Sequence, residues 1–342
     1  MAPVRFAVIG LDHWYSAVPL ARQLAGHEDT ELVAISDRSL DRAREIAAPL
    51  GDVRATDNAR ELIDDGSIDA IASFVSVDEN PAICIAAAAA GKHIISVKPM
   101  ARTLPEADRI VEAVREAGVV FVPSESRPRG SKPNQQLKQW IAAGKLGRIV
   151  SATMVLNGGL PHAWPGADDP GWWIDPARSP GGGWIDHSIY QIDLLRWLLG
   201  EEIVAISGRA GNLKYPDLPV EDYGHAIAEF AGGAIATIED TWTAPAGAHR
   251  TSSTITGTEG AVRLDSLTGN IAVAGPIGSF AGWTLGRADA GRTDGLEATL
   301  RAIAGGEPLA TVADGWANLS SCLAFYRASA TGTVVTPDHI SR

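Results

Sequence analysis

Between Val4 and Val122, short apolar runs alternate with segments of helical period, and this alternation leaves the chain few architectures. Residues 4–9 end at Gly10 and residues 31–36 end at Asp37; runs over 68–75 and 93–97 follow, and 119–122 closes a six-strand pattern. Helical spacing covers 16–25, 59–65 and 80–90. The capping-box sequence Thr103-Leu104-Pro105-Glu106 opens another helix, and Gly91 and Gly118 stop the last two. Strands that are apolar throughout are buried on both faces, as in a parallel sheet. The expected unit is a doubly wound parallel sheet over residues 1–123, with right-handed crossovers.

After Arg148 the period changes. Runs at 149–156, 202–210, 225–231, 234–242, 251–256, 261–264 and 270–274 read as strands, some separated by Gly-rich turns. Strands joined by short turns predict a large open, mostly antiparallel sheet. Residues 124–342 therefore form a second, α/β unit, with helices at 134–143, 184–199, 296–304 and 314–329, the last packing back on the first unit. A chain of 342 residues accommodates two domains. With 45% hydrophobic and 20% charged residues it can build a substantial core.

The same numbers exclude some functions. A net charge of −12 argues against nucleic-acid binding. Cys84 and Cys322 have neither metal-ligand nor disulfide spacing, which suits a reducing compartment, and no metal site is expected. The longest apolar run, 82–90, is too short to cross a bilayer. A strand starting at Val4 leaves no room for a signal peptide, so the expectation is cytoplasmic, without membrane association.

Ligands of open α/β sheets bind at the carboxyl ends of the strands. One such end carries the turn Gly10-Leu11-Asp12-His13-Trp14-Tyr15, which keeps only the first glycine of Gly-x-Gly-x-x-Gly. The following helix start still offers amides to a phosphate. His13 either touches phosphate or substrate, or packs. Asp37 either bonds a ribose hydroxyl or caps a helix. Lys98 is either a surface lysine or a cation delivered to the mouth of the sheet. An insertion over 158–200 holds Trp164, Trp172, Trp173 and Trp184, then Gly181-Gly182-Gly183. These indoles form core or stack on a sugar face. On the helix that follows, Asp186, Tyr190, Asp193 and Trp197 share one stripe, with His187 about a quarter-turn away. That stripe is either a solvated face or a proton-handling cluster, with Asp193 the structural member.

Read together, Gly91-Lys92-His93-Ile94-Ile95-Ser96-Val97-Lys98-Pro99 resembles the G-K-H-V-L-x-E-K-P of the glucose–fructose oxidoreductase, inositol dehydrogenase and rhizopine-catabolism family (Gfo/Idh/MocA). Residues 181–193 resemble its G-G-G-x-x-x-D-x-G-x-H-x-x-D; Trp172-Trp173-Ile174-Asp175-Pro176 and Ala328-Ser329-Ala330-Thr331-Gly332 also fit. The resemblance covers nearly the whole chain. It implies an NAD(P)-binding Rossmann domain and hydride transfer at a carbinol or ketone of a sugar, cyclitol or related polyol. Lys98 matches the catalytic lysine and Asp186 the active-site aspartate.

Val97 stands where the family has Glu, Tyr190 where it has His, and Val75-Ser76 where it has Thr-Pro. The expected catalytic set is Lys98, Tyr190, Asp186 and His187. A Tyr with a Lys neighbour can exchange the substrate hydroxyl's proton, and His187 is a second proton carrier. The expected cofactor contacts are Gly10, Asp12, His13, Trp14, Asp37, Arg38, Val75, Asn80 and Lys98, with NAD favoured over NADP by Asp37. His162, Trp164 and Trp173 are expected to meet substrate. Family sheets of this kind also imply a homodimer or homotetramer through the second sheet. The alternative reading is a non-redox sugar-binding member, or an epimerase or lyase holding NAD tightly.

Overall fold

The computed structural model describes residues 2–278, 282–287 and 295–340. Its first sheet has six parallel strands: β1 (Val4–Ile9), β2 (Thr30–Ser36), β3 (Arg54–Thr56), β4 (Ala70–Ser73), β5 (His93–Ser96) and β6 (Phe121–Pro123), in the order β3-β2-β1-β4-β5-β6. The order reverses at β1 and β4, and the switch point opens a crevice at their carboxyl ends. The intervening helices are α1 (Trp14–Gly26), α2 (Leu40–Ala47), α3 (Ala59–Asp64), α4 (Asn80–Ala89) and α5 (Leu104–Ala117). The doubly wound sheet is thus as the alternation requires. Edge strand β3 and helix α2 are additions. Three residues, one of them an exposed Arg, carry no readable period.

The caps follow from local chemistry. Thr103 and Glu106 form the reciprocal capping box of α5, and Gly118 ends it in the left-handed region. Gly10, at φ +82°, is required where β1 passes β4, because a Cβ there would lie 2.5 Å from Val75 Cγ1.

The second sheet has eight strands. They are β7 (Ile149–Asn157), β8 (Ile203–Gly211), β9 (Tyr223–Phe230), β10 (Ile235–Thr241), β11 (Arg250–Gly257), β12 (Ala261–Asp265), β13 (Asn270–Ala274) and β14 (Thr284–Arg287). The order is β14-β13-β12-β11-β7-β10-β9-β8. All pairs are antiparallel except β7 with β10. In β9 every second residue is buried, as expected of a sheet covered on one face. The cover is α7 (Gly183–Leu199) and α9 (Val312–Thr331); α6 (Lys132–Ala142) and α8 (Gly295–Ile303) lie at the junction with the first sheet.

Helix α9 bridges the two halves. Trp316 Nε1 donates to Asp108 of α5 at 2.7 Å, and Phe325 stacks on Trp184 of α7 at 3.7 Å between centroids. Ser329 Oγ accepts from Ala210 N of β8 at 2.8 Å. Asn318 donates to Asp193 at 2.8 Å, and Arg129 grips Asp193 through two bonds of 2.8 and 2.6 Å. Asp193 is therefore the buried anchor of α7, and a buried carboxylate of this kind needs such pairing.

Candidate active site

The glycine run before α7 lets that helix start hard against β9 and β10. A Cβ on Gly182 would lie 2.1 Å from Glu221 O, and one on Gly183 2.8 Å from Asp222 O. Glu221 caps the helix, accepting from Gly182 N at 3.0 Å and from Trp184 N at 3.2 Å. This start directs the first turn of α7 at the end of β5, where Lys98 projects. Lys98 Nζ donates to Asp186 Oδ1 at 2.6 Å and also to the Asp186 carbonyl oxygen. Trp242 Nε1 donates to Asp186 Oδ2 at 2.9 Å.

The pair is buried, with Lys98 1% and Asp186 8% exposed. Burial alone would favour neutral forms of both. For Lys98 the carboxylate of Asp186, with Tyr15 and Tyr190, outweighs burial and holds the ammonium well above its ordinary value. For Asp186 the opposing charges of His187 and Lys98 outweigh burial and hold the acid below the usual carboxylate range. Lys98 is thus a fixed cation rather than a base. Its Nζ lies 5.2 Å from the Trp173 ring centre and 5.3 Å from that of Tyr190.

His187 lines the cavity beside Tyr190, and its Nδ1 faces two carboxylates: Asp186 Oδ2 at 3.3 Å and Asp240 Oδ1 at 3.7 Å. Burial, opposed by Asp186 and reinforced by Lys98, pushes its imidazole down to about 4. Asp240 is fully buried and both its oxygens lack a hydrogen-bond partner. Burial, then the nearby Asp186 charge, pushes its acid well above the usual range, so the two aspartates beside His187 are shifted in opposite directions. Asp240 was not singled out from the sequence. Its signal is the alternation Ala236, Ile238, Asp240 along β10, which places a carboxyl on the buried face. Arg127, Tyr15 and His249 also join the cluster: Arg127 Nη2 donates to Tyr190 Oη at 3.3 Å, Tyr15 lies 6.0 Å from Trp173, and His249 lies 6.4 Å from His187.

A dinucleotide in this fold lies across the ends of β1, β2 and β4. Asp37 stands at the end of β2, but its oxygens accept from Leu11 N and Ser39 N, each at 2.9 Å, and it is 4% exposed. Asp12 points away from the turn, accepting from Ser76 N at 2.9 Å and pairing with Arg38. The segment 158–182 covers the crevice. Trp14 Nε1 donates to His162 O at 3.0 Å, the Arg42 guanidinium sits 4.5 Å over Trp164, and Arg178 donates to Ser76 Oγ at 2.6 Å. His13 is enclosed by Trp172 and Trp173 at 4.9 and 4.7 Å, with both ring nitrogens buried and unpartnered. Those orphaned nitrogens, with the Gly10 turn and the α1 amides, fit a dinucleotide.

The structure therefore brings Lys98, Asp186, His187, Tyr190, His13 and Trp173 together. It places His162 and Trp164 on the covering segment, Trp164 against Arg42. Val75 lies under Gly10. Asn80 is buried behind the crevice, bonded to Ser73, Ser96 and Met100.

Family models match most of the chain. Residues 4–124 match an oxidoreductase family with an NAD-binding Rossmann fold, and residues 134–263 match the GFO/IDH/MocA C-terminal domain. A scyllo-inositol 2-dehydrogenase (NAD(+)) of Bacillus subtilis (strain 168) is 30% identical over 77% of this chain and 74% of its own. A 1,5-anhydro-D-fructose reductase of Ensifer adhaerens is 31% identical over 88% of this chain and 90% of its own. A solved structure of levoglucosan dehydrogenase with NADH and L-sorbose superposes with a TM-score of 0.87 at 23% identity, covering 99% of this chain and 100% of that one, so the fold is shared.

Proposed function

Because the chain belongs to the Gfo/Idh/MocA oxidoreductase family, we propose that it moves a hydride between a nicotinamide dinucleotide and a carbinol or ketone carbon of a sugar, cyclitol or related polyol. The supporting observation is the buried Lys98–Asp186 pair at the end of β5, its ammonium 5.3 Å from the ring of Tyr190, which with His187 lines a cavity of about 950 Å³. The Gly10 turn, the α1 amides, His13, Asp37 and Arg38 would hold the dinucleotide. When bound, that group supplies the hydride acceptor or donor.

Lys98, fixed in charge, stabilises negative charge developing on the substrate oxygen. Asp186 orients it. Tyr190 Oη gives or takes the substrate's hydroxyl proton, and the neutral His187 is the second carrier. NAD is the preferred form, because a 2′-phosphate would meet Asp37, and Arg38 is already engaged by Asp12 and Glu79.

The second-sheet face carrying Ile227 and Ile235, each about half exposed, is taken as the face on which copies pair into a homodimer or homotetramer. The described helices include none long and apolar enough to cross a membrane. The free, buried Cys84 and Cys322 suit the cytoplasm.

Titration with NADH and NADPH, followed by tryptophan fluorescence, tests the reading, with a sugar and cyclitol panel for turnover. Tighter binding of NADH and loss of turnover in Tyr190→Phe are expected. No binding of either dinucleotide at millimolar concentration would overturn it. Light scattering that finds a monomer would overturn the pairing.

A further inference from the structure

Arg127 is the one charged side chain lining this cavity that no opposite charge holds, among the described residues. The cavity's other formal charge, Asp265, is committed to Arg263 at 3.1 Å and to Leu267 N at 3.0 Å. Among the described residues the guanidinium of Arg127 donates to two neutral hydroxyls, Tyr190 Oη at 3.3 Å from Nη2 and Ser16 Oγ at 3.5 Å from Nη1, and lies 5.6 Å from the Tyr190 ring centre. Both contacts are long for a charged donor, and at this exposed position most of its five N–H groups face the open cavity, where a ligand group can replace water. Its contact with Tyr190, which lies beside Lys98 and His187, puts that unspent charge next to the reacting oxygen. The other arginines near the site are spent: Arg129 on Asp193 and Asp314, Arg178 on Asp78, Arg102 on Glu106.

A planar guanidinium facing a cavity whose one carboxylate, Asp265, is already engaged matches a carboxylate or phosphate on the ligand. We propose that the substrate is anionic: a sugar or polyol acid, or its phosphate ester, whose charged group pairs with Arg127 while a nearby carbinol meets Lys98 and Tyr190. The inference rests on the redox reading of the site and narrows it. Ser16, in the first turn of α1, adds a hydroxyl donor at the same spot. The charged group sits within a few carbons of the carbon that changes oxidation state, because Arg127 and the substrate oxygen both touch Tyr190.

The test compares D-glucose with D-gluconate, D-glucuronate and D-glucose 6-phosphate, on wild type and on Arg127→Gln. Binding is measured by calorimetry in the presence of NADH, and turnover by NADH absorbance with NAD or NADP. At least one anion is expected to bind more than 10-fold tighter than glucose, and more weakly as salt is added. Arg127→Gln is expected to remove that advantage, a loss of roughly 10- to 100-fold. The carboxylate and phosphate arms separate the two sources of charge. If glucose binds as well as every anion, or if Arg127→Gln weakens neutral and anionic ligands alike, Arg127 serves Tyr190 and the inference is overturned. Anion binding that depends on Arg127, with no change in NADH for any ligand, keeps the inference and overturns the redox reading instead.

Discussion

Replacing Lys98 with Met removes a cation from a site with almost no access to water. Asp186 then keeps one strong donor, Trp242 Nε1 at 2.9 Å on Oδ2, while Oδ1 loses its partner. Breaking a buried pair from one side costs about 3–5 kcal/mol, because a charge is left uncompensated. Met fills most of the lysine stem's volume, so little of this is cavity. The double variant Lys98→Met/Asp186→Asn removes the stranded charge as well and is expected to recover about 2 kcal/mol of the loss. The pH dependence fixes the sign. Asp186 is held below its ordinary value, so its contribution is full above about pH 4 and is lost as pH falls through its lower native value. Lys98 is held above its ordinary value, so its contribution is full below about pH 10.5 and is lost only as pH rises through the higher native value. The cost of Lys98→Met is therefore flat from about pH 5 to pH 9 and shrinks in strong acid. Urea unfolding at pH 5, 7 and 9 measures it. A single-variant loss below about 1 kcal/mol, or strict additivity in the double variant, refutes the reasoning. Turnover is expected to be absent in both variants.

Three other outcomes are expected. Asp240→Asn is tolerated and becomes increasingly favourable relative to wild type as pH rises above about 4, because burial holds the native acid above its value in the unfolded chain; thermal melts in which the difference between the two proteins does not change as pH rises would contradict a raised Asp240. Glu125, buried and with Oε2 unpartnered, is pushed up to about 7 by burial and then by Asp193. Wild-type stability should decline between about pH 4.5 and 7 by up to ~3 kcal/mol from this group, and Glu125→Gln should abolish that slope in a urea series. Trp164→Ala loosens the covering segment by removing the contact with Arg42, worth about 0.5–1 kcal/mol, and should raise NADH affinity about two- to five-fold in a fluorescence titration. Unchanged affinity would mean that Trp164 does not hold the segment over the crevice.

The sheets were legible because their strands are apolar and punctuated. β1 ends at Gly10, α5 is opened by Thr103 and Glu106 and ended by Gly118, and the buried face of β9 repeats every second residue. β3 was not legible, because three residues at a sheet edge bury too little to leave a pattern. The stripe on α7 was legible as spacing but not as a unit. Asp186 and Tyr190 face the cavity cluster, Asp193 turns to Arg129, and Trp197 lies against Lys138. A helix buried on nearly every side offers a different neighbour to each turn, and periodicity does not name neighbours. The meeting of Lys98 with Asp186 spans 88 positions and was reachable only through the family pattern. Asp240 had a signal, a carboxyl at an inward strand position. The path of segment 158–182 had none: Trp14 bonding a carbonyl and Arg42 stacking on Trp164 are contacts that only the assembled fold creates.

Helix α9 has a kinetic consequence. It is fastened to α5 by Trp316, to α7 by Asn318 and Phe325, and to β8 by Ser329. Swinging the halves apart would break the Trp316–Asp108 bond and the buried Lys98–Asp186 pair, so a clamshell motion is not the low-energy way to admit a ligand. The traffic falls to the outer part of the segment over the crevice, around His162 and Trp164, which contacts to Trp14 and Arg42 hold, while Trp172 and Trp173 stay buried. Its exchange, on the microsecond-to-millisecond scale typical of active-site loops, becomes the slow coordinate of each cycle. Stiffening that segment should slow product release, while the radius of gyration measured in solution stays the same with and without ligand.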